Sequence, residues 1–159
     1  MRQHNLRILF FLLVLWGVAV ACSRREARFR IGVSQCSEDE WRRQMNSEIL
    51  REAHFYEDVE VDIRTAVDDN DRQAKDIREL IAEGVDLLIV APNEATPITP
   101  VVEEAYNRGI PVIVVDRKIL SDKYTAYVGA DNYEIEKAVG EYVANVLHSQ
   151  GDVVEISRL

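Results

Sequence analysis

Four branched apolar residues in a row, Val112 to Val115, follow Gly109-Ile110-Pro111 and stop at an acid and a base, Asp116 and Arg117. A short apolar run between such breaks is the pattern of a parallel strand buried on both faces, because crossover helices cover both sides of a parallel sheet. Parallel strands cannot be joined by tight turns. The chain must therefore supply a helix between strands, and it does so in strict alternation.

Phe29 to Val33 reads as a first strand. Ser37 and Glu40 have capping-box spacing, and the helix that follows carries Trp41, Met45, Ile49 and Ala53 on one face. Val59 to Thr65 alternates apolar and charged residues, as a strand nearer an edge does. Asn70 and Gln73 form a second box ahead of Ala74, Ile77, Leu80 and Ile81, and Gly84 ends that helix. VDLLIVA, Val85 to Ala91, is a third strand stopped by Pro92. Thr96-Pro97 or Thr99-Pro100 opens a third helix with proline at its first position, and Gly109 closes it. The fourth strand spans Ile110 to Val115, and a short fifth spans Tyr124 to Val128. Asp131 and Glu134 make a third box before a helix striped with Ile135, Ala138, Val139, Tyr142, Val143 and Val146. A final strand is expected over Asp152 to Ser157. This alternation with short connections predicts an α/β fold: a doubly wound parallel sheet with right-handed crossovers. A last strand without a covering helix reads as the front part of something longer.

The beginning of the chain does not belong to that sheet. Arg2 and Arg7 precede an apolar run of 14 residues, Ile8 to Ala21, that ends in small residues before Cys22. A basic start, a short apolar core and small residues describe an export signal, and the run is shorter than the roughly 20 residues of a membrane span. Val20-Ala21-Cys22 resembles the lipobox of bacterial lipoproteins, with Ala19 where Leu usually stands, so Cys22 is the expected lipidation site. An uncleaved signal anchor and a plain secreted protein are the alternatives. If Cys22 carries lipid, Cys36 has no partner for a disulfide and reads as a small residue beside the cleft; otherwise a Cys22–Cys36 bridge is open to it.

The formal charge is −9, and two units more negative without Arg2 and Arg7. Nucleic acid demands a basic face, so that class of partner is excluded. At 159 residues with 47% apolar composition there is material for one core of ordinary size.

In an open parallel sheet, ligands sit outside the carboxyl ends of the strands. The residues expected there are Ser34, Gln35, Glu38, Asp39 and Trp41 after the first strand, and Pro92, Asn93 and Glu94 after the third. Asp116 and Arg117 follow the fourth, and Asp131 and Asn132 the fifth. Carboxylates only accept hydrogen bonds and guanidinium groups only donate them, so an adjacent pair can hold vicinal hydroxyls. An aromatic face among amides and acids suits a neutral polyhydroxylated ligand. Several of these residues have a plainer reading. Acids at a helix start are favoured by the dipole, which explains Glu38 and Asp39; Asp131 can be a cap alone, Trp41 a core residue, and Asn93 a turn former.

Other chemistries lack their signatures. No glycine-rich turn follows the first strand, as a dinucleotide or phosphate loop requires. His4, His54 and His148 are scattered without ligand spacing, and no serine sits in a nucleophile elbow. No catalytic constellation, metal site or cofactor is expected.

Phe29 to Val33, VDLLIVAPNEA, GIPVIVVDRK and YVGADNYEIEKAVGEYVA together resemble the type I periplasmic binding proteins, the ribose-binding and repressor-core family. The resemblance runs from about Arg28 onward. It implies two lobes that close on a sugar, with Asp116 and Arg117 matching the pair that holds sugar hydroxyls. Asp39, Glu40, Trp41 and Arg42 match the polar-aromatic stretch opening the first helix, where the family often has Asn and Phe. Asp131 and Asn132 match the crossing toward the second lobe. The ligand set so implied is Asp116, Arg117, Asp39, Trp41, Arg42, Asn93 and Asp131. The division implied is a signal peptide or anchor over 1–21, a linker over 22–28, a sugar-binding lobe over 29–131 and the beginning of a second lobe over 132–159. PNEATPITPVVEEAYNRGIPVIVVDRK is most similar to the extracytoplasmic sensor domains of hybrid two-component histidine kinases of Bacteroidetes-type bacteria. The expected role is sugar sensing for such a kinase, with a binding lipoprotein of an ABC sugar importer as the alternative and an exported α/β enzyme as a remote third. Partners expected are a small-molecule sugar, the membrane through a lipid or signal anchor, and a second copy or a downstream kinase region.

Overall fold

The computed structural model describes residues 29–154. The expected export segment, Cys22 and the linker over 22–28 lie outside the described residues, as do residues 155–159.

Among the described residues, five strands and four helices follow in the expected order, with a loop and no helix between the last two strands: β1 Phe29–Gln35, α1 Glu40–Ala53, β2 Val59–Thr65, α2 Asn70–Ala82, β3 Leu87–Val90, α3 Ala95–Asn107, β4 Val112–Val115, β5 Ala126–Val128 and α4 Asn132–Val146. The strands lie in the order β2-β1-β3-β4-β5, every pair parallel. The step from β1 to β2 runs one way across the sheet and the later steps run the other. Right-handed crossovers therefore put α1 on one face and both α2 and α3 on the opposite face.

The core follows from that placement. Leu88, Val90, Val112 and Val114 point to the α2/α3 face, where they are fully buried against Ile77, Leu80, Ile98, Val101, Val102 and Ala105. The alternate residues, Ile89, Ile113 and Val115, point to the α1 face and are only half-buried. The expectation that Val112 to Val115 is buried throughout thus holds for one side of the pleat. One helix cannot cover five strands.

Helix ends differ from the sequence reading in instructive ways. The cap of α1 is Asp39, whose carboxylate accepts from the Arg42 N–H at 2.9 Å; Ser37 instead donates to Asp39 at 2.6 Å. Trp41 does not face the core. It is 57% exposed, and the inward positions are Arg42, Met45, Ile49 and Ala53. Asp69, one residue before the expected Asn70, caps α2, so Gln73 is free of capping and lies buried. Helix α3 starts at Ala95, ahead of both prolines, with Pro97 in its first turn and Pro100 inside it. A first-turn proline lacks an N–H that would have no partner anyway. Gly84 and Gly109, with φ of 77° and 82°, end α2 and α3 as expected.

Asp131 caps α4, accepting from the N–H groups of Tyr133 and Glu134. The apolar stripe of α4 forms, yet no residue of this helix is buried among the described residues. Of the final strand expected over Asp152 to Ser157, residues 152–154 take no strand conformation and the remainder lies outside the described residues.

Candidate functional site

The carboxyl ends of β1, β3 and β4 come together at one rim, and the loops there are tied to each other by side chains. Gln73, fully buried on α2, donates to the Ala91 carbonyl at 2.9 Å and to the Ser34 hydroxyl at 3.3 Å, and accepts from the Asn93 N–H at 2.9 Å. One neutral side chain thereby fixes the loop after β1 to the loop after β3. Buried amides of this kind are expected to be fully hydrogen-bonded, and this one is.

Asp116 and Arg117 occupy the end of β4 but do not pair with each other. Asp116 takes the Arg42 guanidinium, Nη2 to Oδ2 at 2.5 Å, across 74 positions of sequence. Arg117 turns the other way, its Nη1 donating to the Asn93 carbonyl at 2.6 Å. The reason lies in the backbone: Asp116 has φ of 68°, so the chain reverses between the two residues. The side chain of Arg42 is 4% exposed and that of Asp116 is 41% exposed. The pair therefore presents a carboxylate edge to solvent from a buried cationic base.

Two buried polar side-chain atoms lack a protein partner among the described residues: Nη1 of Arg42, a donor within this pair, and Oε1 of Gln35, an acceptor at the end of β1. Gln35 is anchored by its other end, donating to Asn46 at 2.6 Å. No local sequence pattern pairs Gln35 with Asn46 or Arg42 with Asp116. From sequence Gln35 reads only as a rim residue, since a lone Gln at a strand end carries no local signal of burial, yet it is fully buried.

The other expected residues are partly committed elsewhere. Asp39 accepts from both Ser37 and the Arg42 N–H, and these hydrogen bonds, that from Ser37 first, hold its carboxyl below the usual carboxylate range. Asn93 spends its side-chain N–H groups on Asn70 and the Asp68 carbonyl. Trp41 lies exposed with the Arg42 guanidinium 4.6 Å from its ring centre, a cation–π contact that braces the arginine. Asp131 sits past β5 at the start of α4 and acts there as a cap. Cys36 is buried and lines a cavity of about 410 Å³ together with Ser37, Asp39, Arg42, Asp68 and Arg117. Among the described residues, no three His, Cys, Asp or Glu side chains gather in a way that could hold a metal ion, and no helix is long and apolar enough to cross a membrane. The rim offers clustered donors and acceptors on a fixed frame, which is equipment for binding hydroxyl groups.

Residues 31–158 match a family described as periplasmic binding protein domain. Among solved structures, the fructose-binding periplasmic domain of the hybrid two-component system BT1754 is 66% identical, with a TM-score of 0.73 over 77% of this chain and 41% of that one. The binding protein of an arabinose ABC transporter from Shewanella sp. ANA-3, solved with L-arabinofuranose, is 30% identical, with a TM-score of 0.63 over 75% of this chain and 40% of that one. The galactofuranose-binding protein YtfQ of Escherichia coli K12 is 33% identical over 155 residues, 89% of this chain and 49% of its own length. The chain thus spans about half the length, or less, of these relatives.

Proposed function

This chain belongs to the periplasmic binding protein domain family, and from that premise we propose that residues 29–131 form the N-terminal lobe of a sugar-binding module. Residues 132–159 are then the beginning of a second lobe that closes over the ligand. The observation that carries this reading is the Arg42–Asp116 pair at the strand-end rim, with a buried guanidinium N–H still unpaired beside it. Asp116 accepts sugar hydroxyls on its open carboxylate edge. Arg42 donates through Nη1 and holds Asp116 in place through Nη2. Arg117 donates from the opposite side of the turn, Trp41 offers an apolar face to the ring, and Asn93, Asp39 and Asp131 shape the rim as much as they touch ligand.

The 66% identity to the fructose-binding periplasmic domain of a hybrid two-component system supports a ketohexose as the ligand and sensory input to a hybrid two-component histidine kinase as the role. The likeness to an ABC transporter binding protein supports the second reading, a binding lipoprotein of a sugar importer. In either reading the domain works outside the cytoplasm, and a lipid on Cys22 is the proposed anchor, with an uncleaved signal segment or a plain secreted form as the alternatives. These relatives are named for binding sugars, which supports a binding role for this chain.

Calorimetric titration of D-fructose into the full-length gene product tests the site. Asp116→Ala should weaken binding by about 2–5 kcal/mol, because it leaves a buried guanidinium unpaired as well as a sugar hydroxyl. Unchanged affinity would remove Asp116 from the site. A kinase region encoded in the same reading frame separates the sensor from the importer, and mass spectrometry of the mature N-terminus reads the state of Cys22.

A further inference from the structure

The Asp116 turn is strained, and the strain has a visible restraint. The Arg117 N–H donates to the Val115 carbonyl at 2.9 Å, and the residue between them has φ of 68°. That is the rare γ-turn with a left-handed central residue, a conformation that persists only where the surroundings over-determine it. Both backbone polar groups of Asp116 are indeed fixed. Its N–H donates to the Val128 carbonyl at 2.9 Å, and its own carbonyl accepts from the Tyr127 hydroxyl at 2.7 Å.

Tyr127 can make this bond because of its neighbour but one. A Cβ added to Gly129 would stand 2.3 Å from the Tyr127 hydroxyl oxygen and 3.0 Å from the Asp116 carbonyl oxygen. Gly129 is not among the residues with positive φ, so space rather than backbone freedom calls for glycine there. The ring of Tyr127 packs against the closed core, with the Lys118 ammonium 5.1 Å from its centre. Its hydroxyl also lies 3.1 Å from the Ala130 carbonyl, where the chain enters α4. A phenol has one proton to donate. That proton is shared between the turn bearing Asp116 and the connection leading out of the lobe.

We propose that Tyr127 is a positioning residue for ligand binding: its hydroxyl, seated over Gly129, holds the left-handed turn that aims the Asp116 carboxylate at Arg42. This rests on the sugar-binding reading above. Removing the hydroxyl while keeping the ring lets the turn relax toward negative φ, swings the carboxylate off Arg42 and costs affinity without removing any group that touches the sugar.

The test uses the full-length gene product, with D-fructose as the probe, and a ligand-free crystal structure of each variant. Tyr127→Phe should lower fructose affinity by about two- to twelvefold, the range of one lost hydrogen bond, with a nearly unchanged unfolding midpoint. Gly129→Ala should do the same by displacing the hydroxyl. The double variant should be no weaker than the worse single one, since both remove one contact. In the ligand-free Tyr127→Phe structure, Asp116 should leave the left-handed region and part from Arg42. Wild-type affinity in Tyr127→Phe, or an additive double variant, would overturn the proposal. If the wild-type protein does not bind fructose, the sugar reading fails for that probe. The ligand-free structure then decides alone, and an Asp116 that keeps its turn and its Arg42 contact in Tyr127→Phe overturns the positioning role.

Discussion

The two faces of this sheet are built from the same strands and nearly the same side chains, yet they differ in almost every physical respect. Toward α2 and α3, Leu88, Val90, Val112 and Val114 are wholly withdrawn from water. Toward α1, their immediate neighbours Ile89, Ile113 and Val115 remain half-buried, and a shallow apolar groove runs past Ile31, Ile49, Val61 and Ile89. Composition does not distinguish the two sides. The difference comes from chain direction, because only one crossover runs from the centre toward β2 and handedness sends its helix to the thinly covered face. That helix also delivers Arg42 to the rim. The closed face supplies rigidity and the open face supplies chemistry.

Unfolding measurements on the full-length gene product can break this contrast. Leu88→Ala should show the largest effect, about 2–5 kcal/mol of lost stability in denaturant titration, since it opens a cavity among residues with no room to collapse. Gln73→Ala should follow at about 1–3 kcal/mol, because the Asn93 N–H and the Ala91 carbonyl lose their buried partner. Ile113→Ala, one residue from Val112 but on the other face, should cost only about 1 kcal/mol, in proportion to the smaller apolar area it withdraws from water. A cost equal to that of Leu88→Ala would mean that this face is fully covered in the whole protein.

The smallest effect sharpens the contrast at the start of α1. Hydrogen bonds from Ser37 and the Arg42 N–H lower the Asp39 pKa below its ordinary value. A lowered folded pKa adds stability above the unfolded value, and that increment disappears as pH falls through the folded one. Asparagine caps about as well and does not titrate. Asp39→Asn should therefore leave the melting temperature at neutral pH nearly unchanged and flatten its decline below roughly pH 4. An unaltered acid limb would show that this carboxylate plays no part in it.

The order of elements was readable because each depends on local pattern: apolar runs, helical stripes, and Gly84 and Gly109 at helix ends. What escaped was whatever depends on distance in sequence. Asp116 and Arg117 are neighbours in the chain and look like a pair, but a left-handed turn separates them and the true partner of Asp116 is 74 residues away. Trp41 looked like the head of a core stripe, yet the inward position belongs to Arg42, a charged residue that hydropathy assigns to the surface. Gln73 fits a capping pattern perfectly well. Its burial follows only from where α2 crosses β1 and β3, which no local rule contains.

Gln73 has a consequence beyond stability. The frame that holds the loop after β1 to the loop after β3 is an uncharged amide, which neither gains nor loses a proton in water and is not weakened by added salt as exposed ion pairs are. A domain of the periplasmic binding protein family lies outside the cytoplasm, where acidity and ionic strength vary with the surroundings. Two loops of the strand-end rim are registered to each other by a contact indifferent to both, so the distance between them should hold while acidity and salt vary.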